Sequence, residues 1–428
     1  MTGGYTIVSA DDHLVEPPGV FVDRVPAHLR DRAPRIVTTD DGREWWEFDG
    51  QRHGQIGLNA VVGRPKDEWS MEPARFDEMR PGCFDPEARI ADMDADGVYA
   101  SLCYPSLIAG FAGTMFARVD DEALGLACVR AWNDWHLEEW VGSHPDRFIP
   151  VQLPWLRDPV VAAEEVRRNA ERGFTAVSFV ENPVDVGLPS MHTDHWDPLL
   201  AACEETGTVV CLHCASSGWS ASHTPGAPLE QLTTLFPVNA LVTCTDWLWA
   251  GVPVRFPGLR IALAESGVDW VPMLMNRIAY VMDHSATGLD SWRDPEHHPN
   301  EVLRRSFRFC TIGVTPTIAA LLDQIGAETI LLESDYPHAD STWPDTQALA
   351  ARGLAGLPDD AVRRITWQNA AELFGHPVPE HLQVPTPAAE TPSIPELADD
   401  HRARAHDPSA RTGVGGVAAA HRRNDVPS

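Results

Sequence analysis

Eight short apolar runs between residues 5 and 334 constrain the fold more than any other feature of the chain. They are 5–10, 98–104 (VYASLCY), 148–153 (FIPVQL), 175–180 (TAVSFV), 208–213 (TVVCLH), 260–265 (RIALAE), 308–314 (RFCTIGV) and 329–334 (TILLES). Runs of this length and composition read as buried strands. Amphipathic helical patterns separate several of them, at 121–141, 159–172, 193–206, 268–283 and 315–326. Strand and helix in alternation require parallel strands, and a count of eight predicts a closed (β/α)8 TIM barrel of α/β class. A doubly wound open sheet is the alternative. At 428 residues the chain is long enough for one large domain with a deep core.

Two stretches break the pattern. Residues 34–82 contain RIVTTDDGREWWEFDGQRH, an alternating segment with a DG turn, which predicts a small β-hairpin insert near the barrel mouth. Residues 384–428 are rich in Pro, Ala, Gly and charge and hold few large apolar residues, so they are expected to be a disordered tail following a barrel domain of 1–383. The net charge is −29, from 33 Lys and Arg against 62 Asp and Glu. That excess argues against a nucleic-acid or anionic-membrane surface and leaves a small molecule as the expected partner. A homodimer is compatible with these features. No secretory signal opens the chain and no apolar run has the length of a membrane span. The eight cysteines are scattered, which suits reduced thiols in a cytoplasm. Cys211 and Cys214 form a lone C-x-x-C within a strand pattern, a poor match to a structural zinc site. Fifteen tryptophans suit either an aromatic-walled cavity, where Trp219 and Trp343 are candidates, or thick helix packing.

Chemistry on such a barrel belongs at the C-terminal ends of its strands. The first run leads into SADDHLVEPP, residues 9–18, where Asp11 and His13 stand two apart and so face one side of a strand. This stretch alone fits a metal-ligand pair or an Asx-type turn equally well. The other runs decide between them. The fourth ends at Glu181 (FVENP), the fifth at His213 (CLHCASSG), the sixth at Glu265 (ALAESG) and the eighth at Asp335 (LLESDYPH). Six converging carboxylates and imidazoles would repel one another and desolvate at high cost without a cation.

These residues carry a resemblance. The opening D-x-H of Asp11–His13, the strand-five His213 and the SDYPH segment with Asp335 resemble the amidohydrolase superfamily. The branch is the amidohydrolase-related one that includes aminocarboxymuconate-semialdehyde and resorcylate-type decarboxylases. His195-Trp196-Asp197-Pro198 and the closing WQNAAELFG at 367–375, with Asn369, fit the same pattern, which spans roughly residues 5–376. The resemblance implies one divalent cation on Asp11, His13, His213 and Asp335, and it puts Glu181 where other members hold a ligand bridging two metals. Glu265 would complete a second site. It occupies the place of a histidine that those decarboxylases carry at strand six.

A donor set of four carboxylates and two imidazoles is hard and oxygen-rich, which favours iron or manganese and still admits zinc. A second cation and the missing strand-six histidine together favour hydrolysis of an ester, thioester, lactone or amide by activated water. In that reading Asp335 carries the proton and His338 assists as acid or orienter. The alternative is non-oxidative decarboxylation of an aromatic or unsaturated carboxylic acid. A non-catalytic metal-binding barrel is the remote one. The serines of CASSGWS, 214–220, lack a nucleophile elbow and read as a substrate-contacting loop.

Overall fold

The computed structural model describes residues 4–383 apart from 67, 68, 70–72, 223, 225, 286–290 and 314–316. The tail expected at 384–428 lies outside the described residues. All eight runs are barrel strands. In chain order the strands are β1 (Val8–His13), β2 (Arg35–Thr38), β3 (Glu44–Phe48), β4 (Gln51–His53), β5 (Ala100–Tyr104), β6 (Phe148–Ile149), β7 (Val151–Gln152), β8 (Ala176–Phe179), β9 (Val209–His213), β10 (Ile261–Ala264), β11 (Phe307–Ile312) and β12 (Ile330–Glu333).

β1, β5 and β6 pair in parallel, and β7 to β12 pair in parallel in sequence order. The third run appears twice because Pro150, which has no N–H to give a ladder, splits it into β6 and β7. Its first half pairs with β5 and its second with β8, so it joins the two sheets. The ring closes where Asp335 N donates to Asp11 O (3.1 Å) and His13 N donates to Tyr336 O (2.6 Å).

The first strand runs over 8–13 and not 5–10 as the polarity pattern predicts. Asp11, Asp12 and His13 are inside it and buried, each with a destination other than water. The register of β1 against β5 shifts between Ser9 and Asp12. Such a bulge re-aims side chains beside a site.

The insert is a three-stranded antiparallel sheet, β2-β3-β4, one strand more than the predicted hairpin. Asp49 and Gly50 both take positive φ (48° and 74°) and turn β3 into β4, as a two-residue hairpin demands. Trp46 and Phe48 of β3 are buried and meet Phe21 and Phe116 edge-on. Beyond the sheet, Val61 N and Val62 N both donate to Pro337 O (3.0 and 3.2 Å). The insert is thus fastened over the loop that carries His338.

The helices follow the predicted periodicity. Asp158 caps Pro159–Arg172 by accepting from Val160 N and Val161 N, and Gly173 ends it at φ 111°, the usual acidic start and glycine stop. The segment predicted at 121–141 is helix Glu122–Trp135 continued by a π-helical turn, His136–Val141. Several tryptophans serve helix packing: Trp132 and Trp135 meet at 6.2 Å, and Trp196 and Trp247 flank Phe179 of β8. All eight cysteines are free and buried. No helix among the described residues is long and apolar enough to cross a membrane.

Candidate active site

Residues from four strand ends, those of β1, β9, β10 and β12, meet at the C-terminal mouth. His13 Nε2 lies 2.9 Å from His213 Nε2, 3.5 Å from Asp11 Oδ1 and 3.4 Å from Asp335 Oδ1. His213 Nε2 is 3.5 Å from Asp11 Oδ2 and 3.9 Å from Glu265 Oε1. His338 Nδ1 is 2.9 Å from Asp335 Oδ1 and 3.9 Å from Glu265 Oε1. Two groups have all their donor atoms within 4.8 Å of one another: Asp11, His13 and His213, and His13, Glu265, Asp335 and His338. They share His13. Glu181 is in neither group. Its Oε1 accepts from Ser217 Oγ (2.9 Å), its N–H donates to Ser216 Oγ (3.0 Å), and burial pushes its carboxyl up to about 7.

The backbone supports this convergence with unusual conformations. Glu265 (φ 51°) and Asp335 (φ 55°) are left-handed, as are Ala215 (φ 64°) after β9 and Phe111 (φ 57°). Side-chain-bearing residues enter this region at a cost, and such positions cluster at functional sites. Phe111 stacks on His213 at 4.4 Å and 15°, and its edge meets His13 at 5.3 Å. His338 lies over His13 at 4.0 Å. A narrow crevice lies between His13, His338, Pro337 and the insert residues Gly57 and Leu58.

The electrostatics suit a cation. Both carboxylate oxygens of Asp11 and of Asp335 are buried and make no hydrogen bond; His338 Nδ1 meets Asp335 Oδ1 at 2.9 Å as an ion-pair contact. Burial, followed by the charges of neighbouring acids, pushes both carboxyls well up, and that of Glu333 as well. Burial also drives the His13 imidazole well down, toward the neutral form that ligates metals. Burial likewise opposes ionisation of Glu265, but His213 and His338 outweigh it and hold that carboxyl below its ordinary value. His213 Nδ1 meets Cys214 O at 2.6 Å. That contact requires the proton on Nδ1 and leaves Nε2 as a lone-pair donor facing the cluster.

Several supporting residues escaped the sequence reading. Asp12 points to the opposite side of β1 from Asp11 and His13, where it accepts from Ser9 Oγ (3.1 Å), Ser334 Oγ (2.6 Å), Tyr336 N (3.1 Å) and Ser101 Oγ. It therefore ties β1 to β5 and to the segment bearing Asp335. Arg89, fully buried, donates to His13 O and to Gly82 O (2.7 Å). Glu333 accepts from Glu265 N (3.2 Å) beneath the site. For Glu333 a signal existed: it stands two residues before Asp335, and alternation along a strand puts both on one side. Phe111 and Arg89 carried none.

A closed parallel barrel with a buried carboxylate–imidazole cluster at its C-terminal mouth defines a class, the metal-type hydrolases and lyases of barrel form. The model of the amidohydrolase family matches residues 25–376, and the chain belongs to that family. It is similar to the gamma-resorcylate decarboxylase of Rhodococcus jostii, 25% identical over 359 residues, covering 75% of this chain and 98% of the relative. Among solved structures it resembles an amidohydrolase from Mycobacterium avium subsp. paratuberculosis, with TM-score 0.69, 24% identity, and coverage of 87% of this chain and 99% of that one. It also resembles a dihydroxybenzoic acid decarboxylase from Polaromonas with bound manganese and the inhibitor 2-nitroresorcinol, with TM-score 0.56, 17% identity, and coverage of 87% and 97%.

Proposed function

We propose that this chain is a metal-dependent decarboxylase of a small aromatic or unsaturated carboxylic acid. The observation that carries this reading is the single cluster around His13, with Glu181 apart from it and the His338 imidazole beside Asp335. The hydrolytic reading favoured by the sequence needs a second cation shared by Glu181 and Glu265, and Glu181 is in neither donor group. The curated relative, a decarboxylase, points the same way.

Asp11, His13, His213 and Asp335 would hold one divalent cation, with manganese, iron and zinc all suited to the donors. When bound, the cation supplies positive charge that neutralises a substrate carboxylate and an adjoining oxygen. The protein's own part is orientation and proton supply. The insert residues Gly57 and Leu58 border the crevice beside His13 and His338, and Phe111, stacked on His213, would offer a flat apolar face to a planar substrate. The His338–Asp335 pair, 2.9 Å apart, holds the proton. The C–COO⁻ bond breaks, its electron pair stays on carbon, the pair's proton adds there, and CO2 leaves. Glu265 lies 3.9 Å from His338 Nδ1 and would keep that imidazole oriented.

A panel of aryl carboxylates assayed in D2O tests this. One deuterium at the vacated carbon with stoichiometric CO2 is the expected result. Uptake of ¹⁸O from labelled water into a carboxyl product, on a panel of esters and lactones, would instead favour hydrolysis. The carboxylate of Glu265 at the strand-six position supports that second reading.

We also propose a homodimer. Val238, Val242, Met273 and Tyr280 are exposed on helices Phe236–Trp249 and Val271–His284. The groove between these helices is lined by Leu241, Val242, Trp249, Met273 and Leu274, with Asp246 and Arg277 both at its rim. A patch with an apolar centre and both charge signs is self-complementary, as a two-fold interface must be. Met273→Asp should convert the dimer to monomer in light scattering; an unchanged mass would reject this face.

A further inference from the structure

The opposite end of the barrel holds a second concentration of chemistry. Arg260 immediately precedes β10, and Arg308 is the second residue of β11. Both line a cavity of about 200 Å³ at the N-terminal ends of these strands, together with Arg364, Glu328, Glu372 and Asn369. In a chain of net charge −29, three guanidiniums around one cavity stand out against the background.

Their hydrogen bonds leave capacity unused. Arg260 spends only Nη1, on the carbonyls of Pro257, Gly258 and Leu259. Arg308 likewise spends only Nη1, on those of Arg304, Arg305 and Phe307. These contacts fix both side chains. They leave Nε and Nη2 of each without a protein acceptor among the described residues. The nearby acids are turned elsewhere. Glu328 folds its carboxylate back against Gly326, and Glu372 accepts from Gln368 Nε2 at 2.7 Å. Arg364 is held by Asp360 at 3.4 Å. Asn369 Nδ2 donates to Ala327 O and Ile330 O, which fixes the cavity wall. Burial and then the Arg260 charge push the Arg308 guanidinium below its ordinary value, and the Glu328 charge offsets them only in part.

We infer that this cavity is a binding site for a small oxyanion, a phosphate or a carboxylate, held by the free guanidinium edges of Arg260 and Arg308. Guanidinium forks match such anions with paired charge-assisted hydrogen bonds. Removing one fork should weaken binding by at least about tenfold. The site lies across the barrel from the catalytic cluster, so an anion here acts on stability and not on the reacting atoms.

The test is thermal unfolding of the metal-loaded protein in inorganic phosphate, pyrophosphate or malonate, with chloride at matched ionic strength as control. Ligand that binds only the folded state raises Tm in a saturable way. The expected result is a saturable rise with phosphate or malonate, lost in Arg260→Gln and in Arg260→Gln/Arg308→Gln. Which of the two anions saturates at lower concentration separates a phosphate site from a carboxylate site. Glu328→Gln, a change at an exposed residue, removes the competing charge and should move saturation to lower anion concentration. Turnover per metal ion should be unchanged in all three variants. An equal rise in wild type and Arg260→Gln would mean that the anion binds elsewhere, at the catalytic cation for instance, and would overturn the inference. So would a rise no larger than that in chloride, or a Glu328→Gln variant no more sensitive than wild type.

Discussion

Replacing Glu181 by Gln separates the two accounts of the site, because a metal ligand and a buried neutral acid respond to pH in opposite ways. Glu181 is 2% exposed at the end of β8 and accepts one side-chain hydrogen bond, from Ser217. Burial is the largest influence on its carboxyl and raises it from 4.5 to about 7. A carboxyl raised in the folded state holds a proton that the unfolded chain has already released. Its stabilising contribution is therefore complete below pH 4.5 and is lost as pH rises through 7. At about 1.4 kcal/mol per pKa unit, the loss on full ionisation amounts to about 3 kcal/mol. Glutamine keeps the Ser217 contact and has no proton to lose. Urea unfolding followed by tryptophan fluorescence, on both proteins loaded with metal, should show similar stability near pH 5. By pH 8 to 9 the variant should lead by about 2 to 3 kcal/mol. Elemental analysis should find one divalent ion per chain in each. A stability difference independent of pH, or metal loss from Glu181→Gln, would show an ionised ligand and refute the reasoning.

Other consequences follow from the same geometry. Asp335→Asn removes a metal donor and half of the proton-holding pair, so metal content and turnover should both fall to background in elemental and CO2-release assays. Asp12→Ala strands Ser101, Ser334, Tyr336 N–H and the buried Arg89 charge 3.9 Å away, and should cost about 3–5 kcal/mol in urea unfolding. Asp12→Asn, which still accepts hydrogen bonds, should cost less. After chelation the raised carboxyls of Asp11, Asp335 and Glu333 should make the metal-free protein lose stability as pH climbs above the ordinary carboxylate range, since the folded state there still holds protons that the unfolded chain has already released. Calorimetry across that range should show the slope, and restoring the metal should flatten it.

The barrel was legible because burial on both faces writes each parallel strand as an apolar run, and eight such runs admit few arrangements. The places where that reading slipped are those where polar residues have a buried destination. Asp11 and Asp12 were read as the end of a strand that in fact contains them. The short polar β4, Gln51–His53, was invisible because it gains order by pairing with β3 and not by burying apolar side chains. The strand-end rule located Asp11, His13, His213, Glu265 and Asp335 together. It also selected Glu181, because it gives the side on which a residue lies and not where its side chain turns. Ser217 after β9 holds that carboxylate, and Ser216 holds its backbone N–H.

The same limit bears on the chemistry. Judged one residue at a time, Glu265 in place of a histidine argues against decarboxylation, since an ionised carboxylate cannot donate a proton. The folded arrangement restores what the linear pattern removes. The sharp turn at Asp335, the fold of Tyr336–His338 and the two hydrogen bonds from Val61 and Val62 to Pro337 bring His338 over His13 and within 3.9 Å of Glu265. An imidazole is thus present beside the reacting face, supplied by the eighth strand's loop and not by the end of the sixth. On the decarboxylase reading proposed above, the site needs an imidazole and a carboxylate at given points in space, and the strand that delivers each is free to change.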